Sequence, residues 1–264
     1  MIERVIKLLI VIDAGHGGKC RANRGPTGYV EADGVLDIAL RLYDMLVIAG
    51  YKVYLTRDTD TTVSLQQRAD LANNLSADLF ISLHTNAGPE AARGIETFYT
   101  HDSAEAKRVA GIIQQSLVDG TGWTNRGIKT RLIDNPKSPI FRKDYYAVIR
   151  NTNMPALILE TGFHTNFIEE ALLKQEGIRQ LIAKAILKGI KQAYPLEHTY
   201  TPTNQVIERE IKINLHGKAL KIDGFFHNDR NYVPIAFLRQ LGYSVGWDGE
   251  SVLIDYNKEG ELWK

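Results

Sequence analysis

The chain has 264 residues, 44% of them hydrophobic and 24% charged, with a formal net charge of +1. Such a chain has room for one sizeable core and a smaller second one. Its near-neutral charge gives no electrostatic basis for binding nucleic acid or an anionic membrane, and its single cysteine, Cys20, excludes an intrachain disulfide scaffold.

No apolar run approaches the roughly 20 residues that span a bilayer. The stretch LLIVI, preceded by Arg4 and Lys7, imitates a signal peptide, but it leads straight into Asp13-Ala14-Gly15-His16 with no A-x-A-like cleavage site. A leaderless chain, made in the cytoplasm, is the expectation.

The run KLLIVID (7–13) is continuous and apolar, as a strand buried on both faces should be. From Val35 the positions Ile38, Ala39, Leu42, Leu46 and Ala49 fall at helical spacing, and Gly50 supplies the stop. YKVYLT (51–56) is a second strand, and Ser64 with Gln67 is a capping box opening the helix that holds Arg68. ADLFISLH (77–84) and GIETFYT (94–100) follow as strands, then a helix over about 103–117. A looser region runs to about Tyr145, with Pro136 and Pro139 in its middle. PALILE (155–160) is another buried strand, Asn166 with Glu169 opens a helix, and 177–194 form a long amphipathic helix.

This alternation predicts an α/β fold over residues 1–194, a twisted and mostly parallel sheet flanked by helices. Residues 195–204, with two prolines, read as a linker. Residues 205–264 read as a small α+β module, with hairpin turns at 215–218, 227–231 and 247–251 and one short helix at about 234–241.

Three predicted strands end in a residue capable of binding a metal or moving a proton: His16, His84 and Glu160. Parallel strands would bring their carboxyl ends to one edge of the sheet, where open α/β proteins place their sites. Glu31, ahead of the first long helix, can be swung to the same edge by the loop before it. Two imidazoles and a carboxylate suit a catalytic zinc with a bound water, and a second carboxylate serves as acid/base. His16, Glu31 and His84 are thus the candidate ligands of one zinc, and Glu160 the candidate catalytic group. Taken singly, each histidine also reads as a hydrogen-bonded structural residue and Glu31 as a favourable charge in a first helical turn. Glu160 is harder to explain away, because a carboxylate closing an apolar strand is costly unless it is paired or used.

The segments VIDAGHGG, EADGVLDIALRL, YLTRDTD, LQQRADLANNLSADLFISLHTNA, GIETFY and MPALILETGFHTN, in that order, resemble the zinc-dependent N-acetylmuramoyl-L-alanine amidases of the amidase-3 type. The resemblance covers roughly residues 7–194. It implies zinc held at His16, Glu31 and His84, catalysis by Glu160, and hydrolysis of the amide joining N-acetylmuramic acid to L-alanine in peptidoglycan. The loop GKCRANRGPTGYVEAD departs from the usual glycine-spaced run, which leaves Asp33 as the rival to Glu31 and Cys20 as a further thiol capable of binding zinc, although three ligands already fill a catalytic site. Asp13 reads as a partner to a ligand or as a turn cap, and Arg57 and Arg68 as ion-pair partners of Asp58 or Asp70. Arg126, Lys129 and Arg142 are candidates for contacting carboxylates of the stem peptide. His101, His164, His198, His216 and His227 are assigned no catalytic part.

Residues 213–256 resemble the small stalk-like domain named after the N-terminal region of copper amine oxidases, without any cluster of copper ligands. Residues 196–264 hold ten acidic against eight basic side chains, a net charge of −2, which disfavours capture of an anionic polymer by bulk charge. Wall attachment and a spacer or dimerisation unit are the two expectations for this module. The sequence sets no oligomeric state. For the whole chain the expectation is a wall-lytic amidase acting once the membrane is breached, as phage endolysins and mother-cell lytic enzymes do. A wall-binding protein with a decayed site, and a zinc peptidase or deacetylase on a related sheet, are the alternatives.

Overall fold

The computed structural model describes residues 8–196 throughout and, beyond them, the strands within 207–256 by their backbone and pairing. The chain divides into two compact units, Met1–Leu196 and Glu197–Lys264.

The first unit contains β1 (Leu9–Ala14), α1 (Glu31–Ile48), β2 (Lys52–Leu55), α2 (Leu65–Asn74), β3 (Leu79–Asn86), β4 (Ile95–Tyr99), α3 (Ala104–Thr121), β5 (Asn125–Lys129), α4 (Ala147–Arg150), β6 (Ala156–Phe163), α5 (Phe167–Leu173) and α6 (Glu176–Ala193). The six strands form one sheet in the order β2-β1-β3-β6-β4-β5. β2, β1, β3 and β6 are mutually parallel, β4 runs antiparallel to β6, and β5 is parallel to β4. The α/β sheet expected from the sequence is therefore present, with one antiparallel junction.

Both faces of β1 are covered, which is why its sequence shows no alternation. Ile10, Ile12 and Ala14 face a large core with Leu79, Ile81 and Leu83 of β3 and Leu157 and Leu159 of β6, packed against α1, α3 and α6. Leu9 and Val11 face a smaller core with Phe80, Ala156 and Ile158, closed by Ala72 of α2 and Val148 and Ile149 of the four-residue α4. Side chains alternate along a strand, so His84, which follows Phe80 and Ser82, lies on this second face. So does Glu160, which follows Ala156 and Ile158.

The helix starts differ from expectation in two places. α1 begins at Glu31 rather than near Val35, with no side-chain cap; instead the Glu31 N–H donates to the Asn23 carbonyl at 3.1 Å. Asn166 caps α5, but Glu169 does not close a capping box: its carboxylate accepts from the Gly94 and Phe163 N–H groups, both at 2.7 Å. The Ser64–Gln67 box is present in both directions. β5 falls in the region read as loose. Its sequence NRGIK has no apolar period, and its pairing with β4 shifts register beside Gly127, which has a left-handed φ of 80°.

In the second unit β7 (Ile207–Leu215) pairs with β8 (Lys218–His227), which pairs with β9 (Arg230–Tyr232); β10 (Tyr243–Trp247) pairs with β11 (Val252–Tyr256). All three pairings are antiparallel, and their closing residue pairs, Leu215 with Lys218, His227 with Arg230 and Trp247 with Val252, flank the expected turns. The helix expected at about 234–241, the linker from residue 197 onward, His198, His216 and the side chain of His227 lie outside the described residues.

Candidate metal centre and its acid/base group

Beyond β1 the chain reverses within three residues, His16, Gly17 and Gly18, all at positive φ (60°, 109° and 56°). A β-carbon at Gly17 would lie 2.7 Å from the Thr61 carbonyl oxygen, and one at Gly18 would lie 2.4 Å from the Thr62 nitrogen, so glycine is required at both. His16 has no such freedom, and its left-handed backbone persists because neighbours hold it. Arg68 donates from Nη2 to the His16 carbonyl at 2.6 Å, and Arg57 donates to the carbonyls of Ala14, Gly15 and Ala32.

Behind this turn, Asp13 is 1% exposed and collects Arg68, the Ser82 hydroxyl at 2.6 Å and the Thr56 hydroxyl at 2.5 Å. Arg68 therefore pairs with Asp13 and not with Asp70, which instead accepts from Gln66. Asp13 is a partner to the turn that carries His16, tying β1 to β2, β3 and α2.

Glu31 arrives by a folded-back loop. The Glu170 carboxylate accepts from the N–H groups of Thr27 and Tyr29, and Asn23 donates to Glu31 Oε2 at 2.7 Å. Glu31 Oε1 lies 2.9 Å from His84 Nδ1 and its Oε2 3.2 Å from His16 Nε2, while the Thr85 N–H donates to Oε1 at 3.0 Å. Gly15 makes room for this: a β-carbon there would lie 2.4 Å from the His84 ring.

One ligand-capable atom from each of His16, Glu31 and His84 falls within 4.8 Å of the other two. Burial alone would raise the Glu31 pKa, but the two imidazoles hold it well below the usual carboxylate range. Burial disfavours charge on the histidines as well, and Glu31 more than offsets it, so both are raised, His84 to about 9. Two imidazole nitrogens and a carboxylate this close suit one divalent ion at ligand distances of about 2 Å. Asp33 is paired with Arg21 instead, at 2.7 Å, and does not join the group. Cys20 Sγ sits 3.2 Å from His16 Nδ1, on the ring nitrogen opposite the one facing Glu31.

Glu160 is the register partner of His84 on the neighbouring parallel strand. Its Oε2 is buried without a hydrogen-bond partner among the described residues. Burial pushes its pKa up to about 7; the Glu31 and Glu96 carboxylates push the same way, and His84 opposes them. A carboxyl group poised there can both accept and return a proton at neutral pH.

Two nearby residues, Asn23 and Glu96, escaped the sequence reading, and a third, His164, was named there only as non-catalytic. His164 is buried, with Nδ1 3.0 Å from both the Thr85 hydroxyl and the Thr85 carbonyl and 4.0 Å from Glu31 Oε2, so it packs beneath the carboxylate. Its signal was present, since it follows Glu160 within ETGFHTN. Asn23 bridges Glu31 and His16 from a loop whose sequence has no period. Glu96 sits on β4 opposite Glu160 and binds Arg126 and Lys129, whereas Arg142 lies exposed in the segment after β5.

The model of the N-acetylmuramoyl-L-alanine amidase family matches residues 10–192. N-acetylmuramoyl-L-alanine amidase LytC of Bacillus subtilis is 35% identical over 193 residues, covering 72% of this chain and 36% of LytC. The probable cell wall amidase LytH of Staphylococcus aureus is 32% identical over 185 residues, covering 69% of this chain and 57% of LytH. The chain thus spans about a third of LytC and somewhat over half of LytH. The solved catalytic domain of CwlV, an N-acetylmuramoyl-L-alanine amidase from Bacillus (Paenibacillus) polymyxa var. colistinus, superposes with a TM-score of 0.63 at 34% identity, over 72% of this chain and 99% of that domain.

Proposed function

This chain belongs to the N-acetylmuramoyl-L-alanine amidase family, and we propose that it hydrolyses the amide between N-acetylmuramic acid and L-alanine in peptidoglycan, with one zinc ion held by His16, Glu31 and His84. The observation that carries this reading is the convergence of those three side chains beside Glu160, the register partner of His84.

Bound there, zinc would acidify a water and polarise the amide carbonyl. The protein's own groups divide the remaining work. Glu31 supplies the negative charge that balances the cation, and the Thr85 N–H and Asn23 keep its two oxygens apart and aimed. Arg68 and Asp13 fix the turn so that His16 presents Nε2. Glu160, poised near neutrality, takes the proton of the attacking water at its buried oxygen and returns it to the departing amine nitrogen. The second unit is proposed as a stalk-like module that attaches the enzyme to the wall.

Isolated cell wall digested with the zinc-loaded protein tests the reading. New N-terminal alanine without new reducing sugar is expected, with activity lost to a chelator and restored by zinc. Glu160→Gln should slow the reaction by about 10²–10⁴-fold. New reducing ends would mark a glycan cleaver and refute the assignment. Equal inertness of wild type and variant, with wall affinity kept, would mark a binder.

A further inference from the structure

Across three neighbouring strands, His84 of β3 pairs in register with Glu160 of β6, which pairs in register with Glu96 of β4. Register partners project from the same face, so these side chains form a row with strand spacings of about 4.8 Å. Glu96 is 5% exposed and fully engaged: Oε1 accepts from Asn86 Nδ2 at 2.7 Å, and Oε2 accepts from Arg126 Nε at 2.7 Å and Lys129 Nζ at 2.5 Å.

One carboxylate is shared by two cations at the rim, and the next carboxylate, Glu169, reaches Arg126 through space and makes no hydrogen bond to it. The side chains of Arg126 and Lys129 are 34% and 38% exposed. Arg126 uses only Nε; its two terminal nitrogens make no hydrogen bond among the described residues. Its guanidinium also lies over the Phe163 ring, 4.8 Å from the centroid. A guanidinium fixed at one edge and one face, with its outer fork free, is a preformed receptor for a carboxylate.

We propose that Arg126 and Lys129 form a subsite for a carboxylate of the peptide leaving group. The inference rests on the amidase reading above and extends it. Glu160 returns a proton to the amine nitrogen, so the row runs from the carbonyl side at His84 to the amine side at Glu160. The next position, Glu96 with its cations, therefore meets the peptide. Glu96 is a positioning residue here, holding the two cations in place.

Two soluble N-acetylmuramoyl peptides test this, identical except that the second residue carries its carboxyl group free in one and amidated in the other. The zinc-loaded full chain should prefer the free acid by about tenfold in kcat/KM, through a lower KM. Arg126→Gln should bring that ratio close to one, and Arg126→Lys should retain part of it. The ratio does not depend on how much of a variant is folded, so a loss of stability cannot imitate the result. A wild type with no preference, or an Arg126→Gln variant that keeps it, would overturn the subsite. Failure of the wild type to cleave either peptide would overturn both readings together.

Discussion

Cys20 shows how far one side chain's role depends on which atom it meets. Its Sγ approaches His16 at Nδ1, 3.2 Å away, while Nε2 of the same ring faces Glu31. The thiol is thus placed to orient the imidazole and not to share its ion. Partners of this kind are typically worth 10–100-fold in metal affinity. Cys20→Ala should weaken zinc binding by about that factor in competition with a chromophoric chelator. A thiolate charge-transfer band in the cobalt-substituted protein would put Sγ on the ion and overturn this placement. At this scale the sequence was partly legible. His84 and Glu160, ionisable residues that follow apolar runs, announced themselves because polar groups there need a reason, although both strands continue past them, to Asn86 and Phe163. Glu31 and Asp33 were not separable by spacing; burial separates them, Glu31 being 1% exposed and Asp33 engaged with Arg21 outside the core.

Among the elements, β4 and β5 are joined at the site by charge. Burial by itself would raise the Glu96 pKa, but Lys129 and Arg126 outweigh it and hold the carboxyl below the ordinary 4.5. A carboxyl group depressed by folding contributes stability that is complete above its unfolded value and lost as pH falls through its folded value. The melting temperature should therefore decline as pH falls below about 4.5, the ordinary value that folding depresses. Glu96→Gln should flatten that part of the decline, and an unchanged slope would show that the cluster adds nothing to folding. Elements with a strong period or a cap were readable in advance: β1 as an unbroken apolar run, α2 from Ser64 and Gln67. β5 was not, because NRGIK is fixed by its pairing with β4 and by bonds to Glu96, neither of which leaves a local pattern. The start of α1 was missed for a similar reason, since its first N–H is satisfied by a distant carbonyl and not by a capping side chain.

For the whole molecule, the division into two units frames the proposed wall attachment. A protein ending at Leu196 should sediment less with insoluble wall than the full chain while retaining turnover of soluble muropeptide. Equal sedimentation would favour a spacer. No helix among the described residues is long and apolar enough to cross a membrane. The sheet order was beyond the sequence, because the antiparallel entry of β4 between β6 and β5 depends on long-range pairing.

The sheet is also lopsided: three long helices back one face, and α2 with a four-residue α4 back the other, where His84 and Glu160 stand. On the proposed function, folding and recognition thereby fall mainly on opposite flanks, with Glu31 at the head of α1 reaching the site from the packed side. The heavily packed side can stay fixed while the exposed stretch between β5 and α4 is rewritten, so adapting such an enzyme to another wall chemistry calls for new loops on the shallow side and leaves its foundations alone.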